Sequence, residues 1–177
     1  RRWDGNTRVR HLDYLALHYY GAVDAGAASA FPVQPWRWGV KPDHMSQILR
    51  AYYEAFHLPI VVAENGFATK NGEARADGWT REAYMVAHLQ EIQKLKAEGV
   101  PVIGYMYWTL TDNYEWGSFD PRFGLYSVNI RAGDMTRRET PAVGVYREII
   151  RHGGVSADMA ARFPPPAALQ GVSQTSK

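Results

Sequence analysis

Three short apolar segments alternate with helical patterns along this chain of 177 residues. They are residues 12–20 (LDYLALHYY), 59–64 (PIVVAE) and 100–108 (VPVIGYMYW). Each segment is largely apolar on both faces, as a strand is when helices cover both sides of a parallel sheet. Strands that alternate with helices are typical of α/β folds with right-handed crossovers. We therefore predict a parallel α/β fold.

The segments between and after these strands predict helices. Those helices cover residues 42–57, 81–98 and 140–152. Pro42 and Pro141 suit the first helical turn, where a missing N–H costs nothing, and Thr80 is a typical N-cap. His88 lies beside the apolar stripe of the second helix, and we interpret it as a satisfied or solvated histidine rather than a ligand.

Two parallel architectures fit this order, a doubly wound sheet and a (β/α)8 barrel. No glycine-rich phosphate-binding turn follows any of the strands, which removes the usual support for the dinucleotide-binding version. A barrel needs about 250 residues and eight β/α units, and this chain shows three. If it is a barrel, we expect residues 1–163 to be the C-terminal portion of one, followed by a disordered tail over residues 164–177.

Composition excludes several classes of function. The formal net charge of +2 does not favour a nucleic-acid partner, and no segment has the roughly 18 apolar residues of a membrane span. The chain has no cysteine, so disulfides and zinc–thiolate sites are excluded. We expect no metal and a cytoplasmic location, with which the absence of cysteine is compatible.

Polar and aromatic side chains follow the three strands at their carboxyl ends. They are Tyr19 and Tyr20, Glu64 and Asn65, and Trp108. In both architectures ligands bind at this end of the sheet. A glutamate at the tip of a buried strand can serve as a nucleophile, a general base or a metal ligand. The simpler interpretation is a strand that ends in solvent, where Glu-Asn-Gly turns the chain.

The segment 107–128 combines many aromatic residues with acidic ones. The aromatic residues are Trp108, Tyr114, Trp116, Phe119 and Phe123, and the polar ones are Asp112, Asn113 and Glu115. Aromatic faces stack on sugar rings, and carboxylates form strong hydrogen bonds with hydroxyl groups. The segment therefore predicts either a sugar subsite or an apolar loop folded onto the rim of the sheet.

Several motifs together resemble family 1 glycoside hydrolases, the β-glucosidase and β-galactosidase family. The motif VVAENG is similar to the family's (I/V)-T-E-N-G on strand seven, with Ala63 in place of Thr. YWTLTDNYEW resembles WSLLDNFEW at strand eight, LHYY resembles LNYY at strand six, and WGVKP resembles W-x-I-x-P. The match runs from about Leu12 to His152. The resemblance implies strands six to eight of a (β/α)8 barrel.

The resemblance also implies a role for each matching residue. Glu64 is then the nucleophile of a retaining β-glycosidase, and Tyr20 donates its hydroxyl to it. Substrate binding falls to Trp108, Glu115, Trp116, Phe123 and His18, of which His18 stands where the family commonly has Asn. The implied substrate is a β-linked glucoside or galactoside, hydrolysed without a cofactor. Because Glu115 is kept, phosphorylated sugars are not expected.

The family's acid/base glutamate lies in an Asn-Glu-Pro motif on strand four, and this chain has no such motif. Glu54, Glu82 and Glu98 fall on predicted helices and are interpreted as surface residues. We therefore expect the chain to hold one of the two catalytic carboxyl groups and to be inactive without a missing N-terminal barrel segment. Two other hypotheses stay open, a non-catalytic sugar-binding or scaffold protein on the same barrel, and an unrelated barrel enzyme with a lone carboxylate base.

Overall fold

A three-stranded parallel sheet forms the centre of the fold. The computed structural model describes residues 12–23 and 34–167. The three strands of this sheet are β1 (Leu15–His18), β2 (Ile60–Asn65) and β4 (Val102–Tyr107). The predicted parallel strands are thus confirmed, although β1 is shorter than the apolar segment that predicted it.

Helices connect these strands as the sequence predicts. They are α1 (Pro42–Phe56), α2 (Arg81–Ala97) and α3 (Pro141–His152), followed by a short α4 (Ala157–Arg162) that was not predicted. The Thr80 side chain accepts a hydrogen bond from the N–H of Ala83, which confirms the predicted N-cap. The three long helices agree with their predicted bounds to within a residue.

Helix α2 is buried on nearly all sides in its first half. One face packs on the sheet in the main core, and the other lies in a second cluster with Phe67 and Trp79. His88 is fully buried in this helix, and its Nδ1 lies 2.7 Å from the carbonyl oxygen of Tyr84. The imidazole is therefore a core residue, and among the described residues its Nε2 has no hydrogen-bond partner.

Short strands lie before α2 and after β4, in segments where the sequence suggested loops. Strand β3 (Thr69–Lys70) pairs with β5 (Pro121–Arg122), and β6 (Tyr126–Asn129) pairs with β7 (Asp134–Glu139). Both pairs are antiparallel. A 3-10 turn at Ile130–Ala132 lies between β6 and β7.

The buried carboxylate of Asp112 holds together the segment that follows β4. Its Oδ1 accepts the N–H of Gly124 at 2.8 Å, and its Oδ2 lies 3.5 Å from the Arg122 guanidinium. The N–H of Val128 also points to Oδ2, at 3.3 Å. Asp112 is buried and does not line the cavity described below, so of the two interpretations of this segment, the folded loop applies to this carboxylate.

Strands β1 and β4 pair only with β2 within the described part of the chain. Ile103 and Met106 of β4 are more than half exposed on this sheet. Unpaired sheet edges and exposed apolar side chains of this kind are unusual in a complete globular domain. The predicted tail is described only as far as residue 167, where Pro166 lies beside Gly78; residues 168–177 fall outside the described part.

Candidate active site

The register of the parallel strands brings the candidate residues together. His18, the last residue of β1, lies opposite Glu64 of β2, and the N–H of Tyr19 donates to the Glu64 carbonyl at 2.9 Å. On the other side, the N–H of Trp108 donates to the carbonyl of Asn65 at 3.0 Å. The three strand ends are therefore tied to one another by backbone hydrogen bonds directly beneath the site.

The Tyr20 hydroxyl donates a hydrogen bond to Oε2 of Glu64 at 2.5 Å. Burial raises the pKa of Tyr20 well above its ordinary value, and the hydrogen bond to Glu64 and the negative charge of that carboxylate raise it further. The phenol therefore stays protonated and donates throughout the usual pH range. A hydrogen bond of this kind fixes the orientation of the carboxylate.

His18 contacts the same oxygen of Glu64. Its Nδ1 lies 3.2 Å from Oε2, while its side chain is 56% exposed and that of Glu64 is 27% exposed. The resemblance implied a substrate contact for His18, and the imidazole does line the cavity. Its hydrogen-bonding atom nevertheless faces the glutamate.

Glu115 is the second carboxylate of the cavity. Its Oε1 accepts the indole N–H of Trp108 at 2.8 Å. Burial raises the pKa of Glu115, the hydrogen bonds from Trp108 and Asn113 oppose that rise, and the charge of Glu64 adds to it. Trp108 thus orients a partly buried carboxylate toward the space in front of Glu64.

These side chains enclose a cavity of about 190 Å³ at the carboxyl end of the sheet. Its walls are His18, Tyr20, Trp38, Glu64, Trp108, Glu115, Trp116 and Phe123. All seven residues singled out from the sequence as catalytic or substrate-binding are therefore brought together. Tyr114 and Phe119 are not in this wall and pack on each other, with ring centroids 4.9 Å apart.

Trp38 is a wall residue that the sequence interpretation did not assign to the site. Its ring meets Tyr20 edge-on at 5.6 Å and Trp116 at 6.2 Å. Trp116 is 72% exposed and sits at the tip of a tight turn, where its φ is +54°. The only signal for Trp38 was its place in the WGVKP motif, which was used for recognition alone.

Phe123 forms the opposite wall and is almost fully buried. Its ring lies edge-on to Tyr20, with centroids 5.7 Å apart. Tyr20 is thereby held between two aromatic side chains, Trp38 and Phe123. This packing restricts the phenol to the direction of Glu64.

No group of three or more His, Cys, Asp or Glu side chains in residues 12–23 and 34–167 has the arrangement of a metal site. Over the same residues, no helix has both the length and the apolar composition that a membrane crossing requires. The arrangement is a pair of carboxylates, a tyrosine and an imidazole within aromatic walls. Such a set can bind hydroxyl groups and stack on a sugar ring.

The active sites of (β/α)8 barrel enzymes lie at the carboxyl ends of the strands, and Glu64 faces the cavity at this end of the sheet. Residues 15–155 match the model of glycosyl hydrolase family 1. The chain belongs to this family, and its fold is part of a (β/α)8 barrel.

Two curated relatives show the extent of the similarity. The chain is 35% identical over 158 residues to a β-galactosidase of Sulfolobus acidocaldarius, covering 86% of this chain and 30% of that protein. It is 30% identical over 154 residues to the chloroplastic galactolipid galactosyltransferase SFR2 of Arabidopsis thaliana, covering 82% of this chain and 24% of that protein. The chain thus spans about a third or less of the length of these relatives.

Solved structures agree with these relatives. The β-glycosidase of the hyperthermophile Thermosphaera aggregans superposes with a TM-score of 0.69 at 27% identity, covering 88% of this chain and 35% of that one. The similarity therefore extends over nearly the whole described fold.

Proposed function

We propose that this chain supplies the nucleophile half of a retaining β-glycosidase that hydrolyses β-linked glucosides or galactosides. In this proposal it corresponds to strands six to eight of the barrel. Glu64 attacks the anomeric carbon and forms a covalent glycosyl-enzyme, which water then hydrolyses. Retaining hydrolysis requires two carboxyl groups about 5 to 5.5 Å apart. The acid/base carboxyl group comes from a barrel segment outside this chain, because the Asn-Glu-Pro motif that carries it in the family is absent from the 177 residues.

The contact between Tyr20 and Glu64 is the observation that supports this role most directly. A protein that only binds sugar has no need of a half-buried, protonated phenol that donates at 2.5 Å to a single carboxylate. A nucleophile does need it, because attack requires an ionised oxygen held in one direction. The strand that carries Glu64 is a more rigid mount than a loop.

The remaining wall residues have the side chains that binding of a sugar requires. Glu115 offers a carboxylate oriented by Trp108, and Trp116 offers an exposed aromatic face. We assign both to hydroxyl binding and stacking on the non-reducing sugar, with Trp108 and Phe123 as the walls.

Mechanism-based labelling tests the assignment of Glu64. An activated 2-deoxy-2-fluoro-β-glucoside, incubated with the complete barrel that contains this chain, should label the peptide with Glu64, and mass spectrometry of the digest locates the label. Glu64→Gln should abolish labelling. Glu54→Gln, at an exposed position of α1, is the matched control and should leave it intact. A label on any other carboxylate contradicts the assignment.

Complementation tests the proposed division of the site. The 177-residue chain alone should not turn over an aryl β-glucoside, and adding the N-terminal barrel segment should restore turnover. Turnover by the isolated chain would overturn the division. Labelling of Glu64 in a complete barrel separates an enzyme from a sugar-binding or scaffold protein, because only the enzyme forms the covalent bond.

The plant relative is a galactosyltransferase. Whether water or an alcohol accepts the sugar from Glu64 is therefore a further point to test. Hydrolysis releases free sugar, whereas transfer to a hydroxyl acceptor yields a new glycoside. We propose hydrolysis, and chromatography of the products in the presence of an added alcohol measures the ratio of the two.

A further inference from the structure

We propose that His18 is a positioning residue which, together with Tyr20, binds Oε2 of Glu64 and thereby makes Oε1 the oxygen that attacks. This inference rests on the proposed role of Glu64 as nucleophile. In this proposal His18 contacts the carboxylate of Glu64, whereas the resemblance implied that His18 contacts the substrate.

The strand register supports this assignment. His18 and Glu64 are register partners across β1 and β2, and the pairing shifts between Leu17 and His18. Residues two apart on an extended chain point to the same side, so His18 and Tyr20 can reach one carboxylate together. Within the described part of the chain, two side-chain donors reach Glu64, and both contact Oε2, Tyr20 at 2.5 Å and His18 at 3.2 Å.

Two donors on one oxygen make the two carboxylate oxygens chemically different. Nδ1 of His18 can donate when the ring is protonated, or when it is neutral with its proton on Nδ1. The other titratable group of the cavity, Glu115, accepts from Trp108. The remaining walls are uncharged aromatic rings, so no positive charge competes with His18 for Glu64 within the described cavity.

This asymmetry has a consequence for each half of the reaction. In the first half, Oε1 forms a bond to the anomeric carbon, the bond to the aglycone oxygen breaks, and that oxygen takes a proton from the acid/base group. Oε2 is then the carbonyl oxygen of an uncharged ester. In the second half, water adds to the anomeric carbon, its proton passes to the acid/base group, and the Oε1 bond breaks with both electrons staying on the carboxylate.

Donors on Oε2 stabilise the charged carboxylate more than the ester. Charge returns to the carboxylate in the second half, so the contact with His18 favours departure of Glu64 from the sugar. Removing His18 should therefore slow hydrolysis of the glycosyl-enzyme. Because His18 is more than half exposed and its contact is longer than that of Tyr20, the effect should be about three- to tenfold.

The contact itself can be measured without any catalytic activity. Long-range ¹H–¹⁵N correlation spectra of the histidine-labelled 177-residue chain, recorded where the imidazoles are neutral, report which nitrogen carries the proton. We expect the proton of His18 on Nδ1, and its transfer to Nε2 in Glu64→Ala. Tyr20→Phe, which removes the other donor, should leave it on Nδ1. A proton on Nε2 of His18 in the unmodified chain overturns the proposal.

The kinetic consequence is measured in the complete barrel, as the rate at which the 2-deoxy-2-fluoroglycosyl-enzyme regains activity. His18→Ala should slow this rate about three- to tenfold, and His18→Asn, which restores an N–H donor, should recover most of it. An unchanged rate in His18→Ala overturns the positioning role. If Glu64 is never labelled, the proposed function fails, whereas the proton position still decides the contact between His18 and Glu64.

Discussion

Nδ2 of Asn65 donates a hydrogen bond to the hydroxyl of Tyr84 at 2.8 Å, which couples the tip of β2 to the first turn of helix α2. The Tyr84 hydroxyl in turn donates to the carbonyl of Tyr20 at 2.7 Å. Asn65 also donates to the carbonyl of Tyr19 and accepts the hydroxyl of Tyr105, at 2.7 and 2.8 Å. One buried carboxamide thus connects all three strands of the sheet behind the site.

Replacement of Asn65 by Ala should therefore cost much more stability than its size suggests. Three polar partners lose a hydrogen bond in a fully buried position, and each unsatisfied group costs about 1 kcal/mol or more. We expect the free energy of unfolding to fall by about 3 kcal/mol, measured by urea denaturation followed by circular dichroism. Asn129→Ala, at an exposed position, should change it by less than about 0.5 kcal/mol. Equal effects would contradict this network.

Glu64 and its neighbours were predictable from the sequence because their placement depends on local signals. A buried parallel strand ends at the carboxyl edge of the sheet, so the polar residues in its last positions come close to the site. Trp38 was missed because its place in the wall depends on packing against Tyr20 and Trp116, which are distant in sequence. Nothing in its immediate neighbours encodes that contact.

Strand β7 was missed for a related reason. Its sequence, DMTRRE, is polar and does not alternate, so it has little β-propensity of its own. It becomes a strand by pairing with β6, where Tyr126 lies opposite Glu139. The sequence left the role of Asp112 open, because acidic and aromatic residues surround it and favour a sugar subsite and a folded loop equally. Only the folded segment shows that backbone N–H groups enclose it.

Gly66 is required by the close approach of β2 to Trp108. A Cβ atom added at Gly66 would lie 2.0 Å from the carbonyl oxygen of Trp108, which no side-chain adjustment relieves. Gly66→Ala should therefore separate Glu64 from Trp108 and abolish labelling of Glu64 by the fluoroglycoside. Gly144→Ala is the control, because nothing lies within 4 Å of its added Cβ in α3. It should raise the free energy of unfolding by about 0.5–1 kcal/mol. Labelling that survives in Gly66→Ala would refute this argument.

The ion pair between Asp112 and Arg122 is buried, with 4% and 10% of the side chains exposed. Asp112→Asn leaves the guanidinium charge without its counterion, and removing one partner of a buried pair costs about 3–5 kcal/mol. At a separation of 3.5 Å we expect the lower end of that range, from urea denaturation monitored by tryptophan fluorescence. Glu139→Gln breaks an exposed pair with Arg147 and should cost less than about 1 kcal/mol. A small effect of Asp112→Asn would mean that the segment is held by other contacts.

His88 should make the fold sensitive to mild acid. Burial lowers its pKa from 6.5 to about 4, and the hydrogen bond to the Tyr84 carbonyl only partly opposes this change. The folded chain therefore binds fewer protons than the unfolded chain between these values. Its contribution is intact above pH 6.5 and is lost as the pH falls toward 4, by about 3 kcal/mol in total.

His88→Phe keeps an aromatic ring beside Tyr84 and removes the titrating group, so its stability should fall less steeply over this pH range. The measurement is urea denaturation at pH 7.5 and at pH 5, compared between the variant and the unmodified chain. His44→Gln, at an exposed position of α1, should retain the original pH dependence. An identical slope in His88→Phe and the unmodified chain would show that the buried imidazole is not what limits stability in acid, because carboxylates titrate equally in both proteins.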